Sequence, residues 1–76
     1  MSELRDHQII IASDIGGERD GIGIEVYHNS ELIIEVFRDD TKHTREVTLY
    51  KKDVSLSLIE ETTARFKADV EWDFQP

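Results

Sequence analysis

The chain has 76 residues, with 17 Asp and Glu against 9 Lys and Arg and a formal net charge of −8. This charge argues against direct contact with nucleic acid or an anionic membrane, because both are negative, and it favours a basic protein as partner. The absence of cysteine excludes disulfides and thiolate zinc sites, and a chain this short rarely encloses a deep substrate cleft.

The first two thirds of the chain predict strands joined by turns, within one domain that spans residues 1–76. Residues 1–7 are polar and are expected to be flexible, and a run of three isoleucines places the first strand at residues 8–13. Residues 14–21 hold three of the four glycines and predict a loop. Further strands are predicted at residues 22–27, 31–38 and 44–51. Their short connections indicate an antiparallel meander, in which the first strand lies beside either the second or the fourth.

One helix is predicted after the strands, capped by either Ser55 or Ser57. Residues 71–74 alternate and predict a short extended tail. The fold class is therefore α+β, with the order β-β-β-β-α and the C-terminal helix packed on one face of the sheet. The stripe of the helix that should contact the sheet consists of Leu58, Ile59, Thr62, Phe66 and Val70.

The hairpin between the second and third strands decides which residues share a face, because a one-residue slip in register turns a strand over. A two-residue turn at Asn29-Ser30 would pair Ile24 with Glu35, which mixes charge into both faces. A three-residue loop at residues 28–30 pairs Val26 with Leu32 and Ile24 with Ile34, so it is the predicted connection.

A four-residue loop at residues 40–43 extends the same pattern to the fourth strand, pairing Val36 with Val47 and Ile34 with Leu49. Burial of these side chains should hold the domain together, so either Val47→Asp or Ile34→Asp is expected to unfold it. The predicted apolar face consists of Ile22, Ile24, Val26, Leu32, Ile34, Val36, Val47 and Leu49.

The opposite face of the predicted sheet is acidic and aromatic and carries no Lys or Arg. Unpaired carboxylates repel one another there, whereas a partner with Arg and Lys would gain from them and from the rings. Three interpretations remain: the protein's own first strand, N-terminal arm or Trp72-Phe74 tail covers this face, two copies dimerise through it, or a basic partner binds it. The predicted partner-binding residues are Glu25, Tyr27, Glu31, Ile33, Glu35, Phe37, Glu46 and Tyr50. Thr48 also lies on the predicted face but is not predicted to bind.

Residues suited to catalysis or metal binding are scattered along the chain. His7, His28 and His43 lack the spacing of a helical or strand metal site, and residues 14–21 lack the alternating acidic positions of a calcium loop. Ser55 and Ser57 are better explained as helix caps than as nucleophiles. We therefore expect no enzymatic activity, no metal and no cofactor.

The function predicted from these patterns is protein binding without turnover. The interpretation favoured by charge and size is a small inhibitor or immunity-type protein that engages a basic partner through the acidic and aromatic face. The alternatives are an assembly protein that homodimerises through the same face and a DNA mimic that occupies the basic groove of a nucleic-acid-binding protein. With no signal peptide or membrane span in the sequence, a cytoplasmic location is expected.

Overall fold

A computed structural model describes residues 2–76, and Met1 lies outside the described residues. The fold is the α+β meander that the sequence predicts. Strands β1 (Gln8–Asp14), β2 (Gly21–His28), β3 (Glu31–Asp39) and β4 (Thr44–Leu49) form one antiparallel sheet in the order β1-β2-β3-β4. Helix α1 (Leu56–Asp69) follows. β1 pairs with β2, which decides between the two positions that the sequence left open.

Helix α1 packs on β2 and β3, and the side of the sheet that it contacts is here called the helix face. Ser55 caps the helix, since its Oγ accepts a hydrogen bond from the backbone N–H of Leu58 at 3.1 Å. The predicted stripe is confirmed: its members lie in or against the core, with Ile59 partly buried and the others buried, namely Leu58, Thr62, Phe66 and Val70. In the described residues no helix is long and apolar enough to cross a membrane.

The β2–β3 hairpin differs from the three-residue loop that the sequence favoured. His28 pairs with Glu31, so the turn has two residues, Asn29 and Ser30, and both have positive φ (50° and 66°). This is the turn whose twist matches that of the flanking strands. The ladder then shifts by one residue between Val26 and Tyr27, which leaves Ile33 as the extra residue of a β-bulge.

The bulge restores the apolar pairing that a regular two-residue hairpin would have lost. Beyond it, Val26 pairs with Ile34 and Ile24 with Val36. Ile33, predicted on the acidic face, is instead buried in the hydrophobic core on the helix face. Leu32, predicted on the apolar face, instead pairs with Tyr27 and lies on the side of the sheet away from the helix.

The β3–β4 register agrees with the prediction, but the burial of β4 does not. Val36 pairs with Val47 and Ile34 with Leu49, so these residues share the helix face as expected. Val47 nevertheless remains 51% exposed and Leu49 47% exposed. Helix α1 lies over the two central strands, β2 and β3, and therefore leaves the helix-face side chains of β4 in contact with solvent. The expectation that Val47 is a core residue is therefore wrong.

Residues 2–7 pack against helix α1. Residues Leu4–Asp6 form one 3₁₀ turn, and Leu4 joins the hydrophobic core. The carboxylate of Glu61 accepts hydrogen bonds from the Ser2 hydroxyl and from the backbone N–H of Glu3 and Leu4. These bonds, that of Ser2 foremost, lower the pKa of Glu61. Helix α1 therefore holds the N-terminal segment at its first turns.

Two arginines hold the C-terminal tail on the helix side of the sheet. The buried Arg38 guanidinium donates to Asp40 at 2.7 Å and to the carbonyl oxygen of Glu71 at 2.6 Å. Arg45, which pairs with Arg38 across the ladder, contacts the rings of Trp72 and Phe74 at 3.8 and 4.2 Å from their centroids. The hydrogen bonds from Arg38 lower the pKa of Asp40.

Candidate protein-binding face

The side of the sheet opposite the helix is here called the open face, and it holds most of the residues predicted to bind a partner. Its central positions follow from the observed register, because residues paired across an antiparallel ladder lie on the same side. Five carboxylates occupy strand positions there. Its acidic, aromatic and apolar side chains are Ile10, Asp14, Glu25, Tyr27, Leu32, Glu35, Phe37, Asp39 and Glu46, together with Tyr50, which follows β4 and interacts electrostatically with Tyr27.

The centre of the open face is covered by Arg19, which comes from the loop between β1 and β2. Its guanidinium makes a two-pronged ion pair with Glu35, at 2.6 and 2.9 Å, and a third contact with Asp14 at 2.8 Å. The same group lies 4.0 Å from the centroid of the Phe37 ring. Glu35 and Phe37 are consequently buried. The sequence pattern had placed no positive charge on this face.

Two glycines of β2 make room for this arrangement. Gly23 pairs with Phe37 and Gly21 with Asp39, so neither position places a side chain beside the Phe37 ring. A Cβ atom at Gly23 would come within 2.2 Å of the carbonyl oxygen of Val36. The backbones of β2 and β3 therefore approach too closely there for any other residue.

The part of the open face beyond Arg19 stays accessible. Tyr50 is 53% exposed, and Ile10 is also exposed on the edge strand. Tyr27 and Glu25 are half-buried, and the Tyr27 hydroxyl donates to Glu25 at 3.0 Å, which raises the pKa of Tyr27. Glu46 is exposed and accepts from the Thr44 hydroxyl at 2.6 Å. The accessible part of the open face therefore carries two aromatic rings, one aliphatic side chain and two carboxylates.

The predicted binding set therefore divides into three groups. Glu25, Tyr27, Glu46 and Tyr50 lie on the accessible part of the open face, while Glu35 and Phe37 lie beneath Arg19. Glu31 pairs with His28 and Ile33 is in the core, so both lie on the helix side because of the bulge. Sequence reasoning missed Ile10 and Leu32, which the observed register adds to the open face.

In the part of the chain that the structure describes, residues 2–76, neither the N-terminal segment nor the C-terminal tail covers the open face. The N-terminal segment packs against α1, and the tail packs against Arg38 and Arg45 on the helix side. The only signal for the actual cover was a lone arginine between acidic residues in a glycine-containing loop, Glu18-Arg19-Asp20. Strand alternation gives no information about where such a loop side chain goes.

Arg19 should contribute to stability well beyond an ordinary surface ion pair. We expect Arg19→Ala to lower the free energy of unfolding by about 2 kcal/mol, because it leaves the buried Glu35 carboxylate without its charged donor. Arg65→Ala is the matched control, since Arg65 pairs with Asp69 four residues along the exposed helix surface and is worth about 0.3–0.5 kcal/mol. Urea unfolding of both variants measures this, and equal losses would contradict the assigned role of Arg19.

The helix side of the sheet also carries a shallow pocket of about 240 Å³. It lies between the N-terminal segment, the β2–β3 turn and the start of α1, and its lining includes His7, His28, Lys51 and Asp53. The rings of His7 and His28 are 5.0 Å apart, a proximity that the sequence did not reveal. Nδ1 of His7 donates to the carbonyl oxygen of Glu3 at 2.9 Å. This volume is below that usual for ligand sites.

Within residues 2–76 no group of three or more His, Cys, Asp or Glu side chains is placed to hold a metal ion. The open face combines the accessible rings of Tyr27 and Tyr50 with the carboxylates of Glu25 and Glu46. Comparison of the chain with the profiles of known protein families, with curated proteins and with solved structures finds no match.

Proposed function

We propose that this protein is a non-catalytic binding module that engages a basic protein through the accessible part of the open face. The observation that carries the proposal is the exposure of Tyr50 and Ile10 among the carboxylates Glu25 and Glu46, on a sheet face that the helix and the tail leave uncovered. Exposed rings and aliphatic side chains amid charge are typical of contact surfaces.

Charge favours a basic partner over a second copy at this face. Five carboxylates on the open face are opposed there by the guanidinium of Arg19, and the whole chain carries −8. Two such faces would repel each other, whereas a surface with Lys and Arg would be attracted and steered into contact. Tyr50 and Tyr27 would supply contact area and accept cation–π contacts.

An inhibitor or immunity-type role suits these properties better than a DNA mimic. A mimic needs a continuous row of free carboxylates, and Arg19 takes two of them, Asp14 and Glu35. Aromatic residues on the remaining surface also have no counterpart in a phosphate backbone. An inhibitor needs only an anchor surface and charge complementarity, which Tyr50, Ile10 and the neighbouring carboxylates provide.

A comparison of three immobilised proteins tests the proposal. The face variant is Glu25→Gln, Glu46→Gln and Tyr50→Ala, and the control variant changes two carboxylates and one apolar residue elsewhere. Both variants remove two negative charges and one large exposed side chain. We expect the wild-type and control proteins to retain the same basic protein from a lysate of the native cells, and the face variant to lose it. The control changes are Glu60→Gln, Asp73→Asn and Leu56→Ala, all at exposed positions.

Ionic strength separates the electrostatic part of the proposal from simple hydrophobic capture. The Debye length is about 8 Å at 0.15 M salt and about 3 Å at 1 M, so association with the basic partner should slow as salt is added. Surface plasmon resonance with the purified partner measures this rate. Retention by the face variant equal to that of the control, or an association rate insensitive to salt, would contradict the proposal.

A further inference from the structure

The outer edge of β1 is the most exposed pairing surface of the sheet. Within residues 2–76 this edge has no strand beside it, because β2 occupies the other side. From Gln8 to Ser13 the strand carries no charged residue and no proline. Ile10 is exposed on the open face, and Ile11 is 53% exposed on the helix face. Natural edge strands are usually protected by charge, proline, bulges or shortness, and β1 has none of these before Asp14.

The opposite edge is better protected. β4 has six residues, against seven in β1, and it carries Arg45 and Glu46 within the strand. The contact between Arg45 and the tail also occupies one end of β4. The two edges of the same sheet therefore differ in length, charge and access, and β1 is the one suited to accept another strand.

We propose that β1 pairs antiparallel with β1 of a second copy of this chain, which joins the two sheets into one of eight strands. This proposal is independent of the proposed function, because it uses the edge of the sheet rather than its open face. The two-fold axis would pass beside Ile11, the middle residue of Gln8–Asp14. Each strand then pairs along its whole length with no overhang.

The composition of β1 is self-complementary in this register. Ile11 faces the same residue of the second copy, and Ile10 faces Ala12, which combines a large with a small side chain. Gln8 faces Asp14, so the carboxylate meets an amide rather than another charge. Each of these pairs joins residues of the same face, as an antiparallel ladder requires.

Neighbouring registers that keep the two faces aligned are less favourable. A two-fold axis at Ile10 would place Asp14 opposite Asp6 of the second copy, bringing like charges together. An axis at Ala12 would place Asp14 opposite Ile10 and leave the start of the strand unpaired. The charge of −8 on each copy also favours an edge contact, since the uncharged stretch of β1 is where the copies meet with the least repulsion.

A two-fold axis perpendicular to the sheet keeps both helices on one side and both open faces on the other. The dimer would therefore present its two acidic faces side by side, as one surface of twice the width. A partner with two basic regions would meet a second copy of the same site next to the first, and simultaneous engagement of both would bind it more tightly than either site alone.

Light scattering after size exclusion tests the pairing with two closely matched variants. We expect the wild-type protein to have twice the 8.8 kDa mass of one chain. Ile11→Lys should convert it to the monomer, because the lysines would face each other across the axis. Val47→Lys, at a residue 51% exposed on the helix face of the other edge strand, should leave the dimer intact. A monomeric wild-type protein up to its solubility limit would overturn the proposal, as would dissociation by Val47→Lys alone.

Cysteine substitution tests the register without adding charge to the edge. The chain has no cysteine, so Ile11→Cys and Val47→Cys each introduce a single thiol. Opposite residues in an antiparallel pair lie within the Cα distance that a disulfide spans. Mild oxidation should therefore cross-link Ile11→Cys rapidly between copies and leave Val47→Cys largely reduced. Circular dichroism checks that both variants fold, and equal cross-linking at the two positions would contradict the proposed register.

Discussion

Ile34→Asp should leave the chain unfolded at neutral pH. The Ile34 side chain is 0% exposed at the centre of the helix face, between β2 and β4. The substitution removes about 1.5–3 kcal/mol of apolar burial and places a carboxylate in the hydrophobic core, at a further cost of several kcal/mol. A domain of 76 residues has a free energy of unfolding of only about 4–11 kcal/mol, and the combined loss is comparable with this total. Far-ultraviolet circular dichroism during thermal unfolding measures it.

Val47→Asp is the informative control for this experiment. Both residues lie on β-strands of the same sheet face and are β-branched, but Val47 is half exposed at the uncovered edge. The aspartate there stays in contact with water, so we expect a loss of about 1 kcal/mol or less and a folded protein. Unfolding by both substitutions would mean that α1 extends over β4, contrary to the structure.

Asp40→Ala should cost about 3 kcal/mol, which is the lower end of the range for breaking a buried ion pair. The side chains of Arg38 and Asp40 are only 6% and 11% exposed, and their removal from water is compensated by their contact at 2.7 Å. Without Asp40, the Arg38 guanidinium keeps only the Glu71 carbonyl as an observed partner. Chemical denaturation followed by Trp72 fluorescence would report both unfolding and release of the tail.

The effect of Asp40→Ala should depend on pH in one direction. The hydrogen bonds from Arg38 lower the pKa of Asp40 from its ordinary value of 3.8, so the folded state holds the proton less tightly than the unfolded state. The stabilisation is therefore complete above about pH 4 and is lost as the pH falls through the lowered pKa. The difference between wild type and variant should be constant from neutral pH to about pH 5 and shrink below pH 4.

A double variant separates the ion pair from the other contacts of the two residues. Adding Arg38→Leu to Asp40→Ala removes the unpaired buried charge, and we expect it to recover part of the lost stability. Asp69→Ala breaks the more exposed Arg65–Asp69 pair and should cost no more than about 0.5 kcal/mol. A double variant less stable than Asp40→Ala would show that Arg38 contributes mainly through its contacts with the tail.

The pairing of β2, β3 and β4 and the position of the helix could be predicted from the sequence because each rests on a local signal, whereas the sequence left the place of β1 open. Short turns at residues 29–30 and 40–43 allow only hairpins, and the helix stripe from Leu58 to Val70 follows a clear 3.6-residue period. The β2–β3 register could not be predicted in the same way, because a bulge adds one residue without any glycine or proline to mark it. A regular hairpin with a two-residue or a three-residue loop has no extra residue in β3, so neither predicts that Ile33 forms a bulge.

The candidate site was predicted in part for a similar reason. Glu25 and Tyr27 alternate along β2, and Tyr50, just after β4, continues the alternation that begins at Glu46, so alternation alone predicts their place on the open face. The burial of Glu35 and Phe37 depends on Arg19, whose position follows from three-dimensional contacts of a loop rather than from any period in the sequence. A glycine opposite Phe37 is the only trace of that contact within the strands.

The bulge also determines where β3 can change in length. Removal of Ile33 would return β2 and β3 to a regular ladder and sacrifice one core side chain, while every later residue of β3 kept its orientation. Loss of a residue between Ile34 and Asp39 would instead rotate the remainder of the strand by half a turn and direct its acidic and aromatic groups beneath the helix. Indels compatible with this architecture are therefore confined, within β3, to the two or three residues that follow the hairpin.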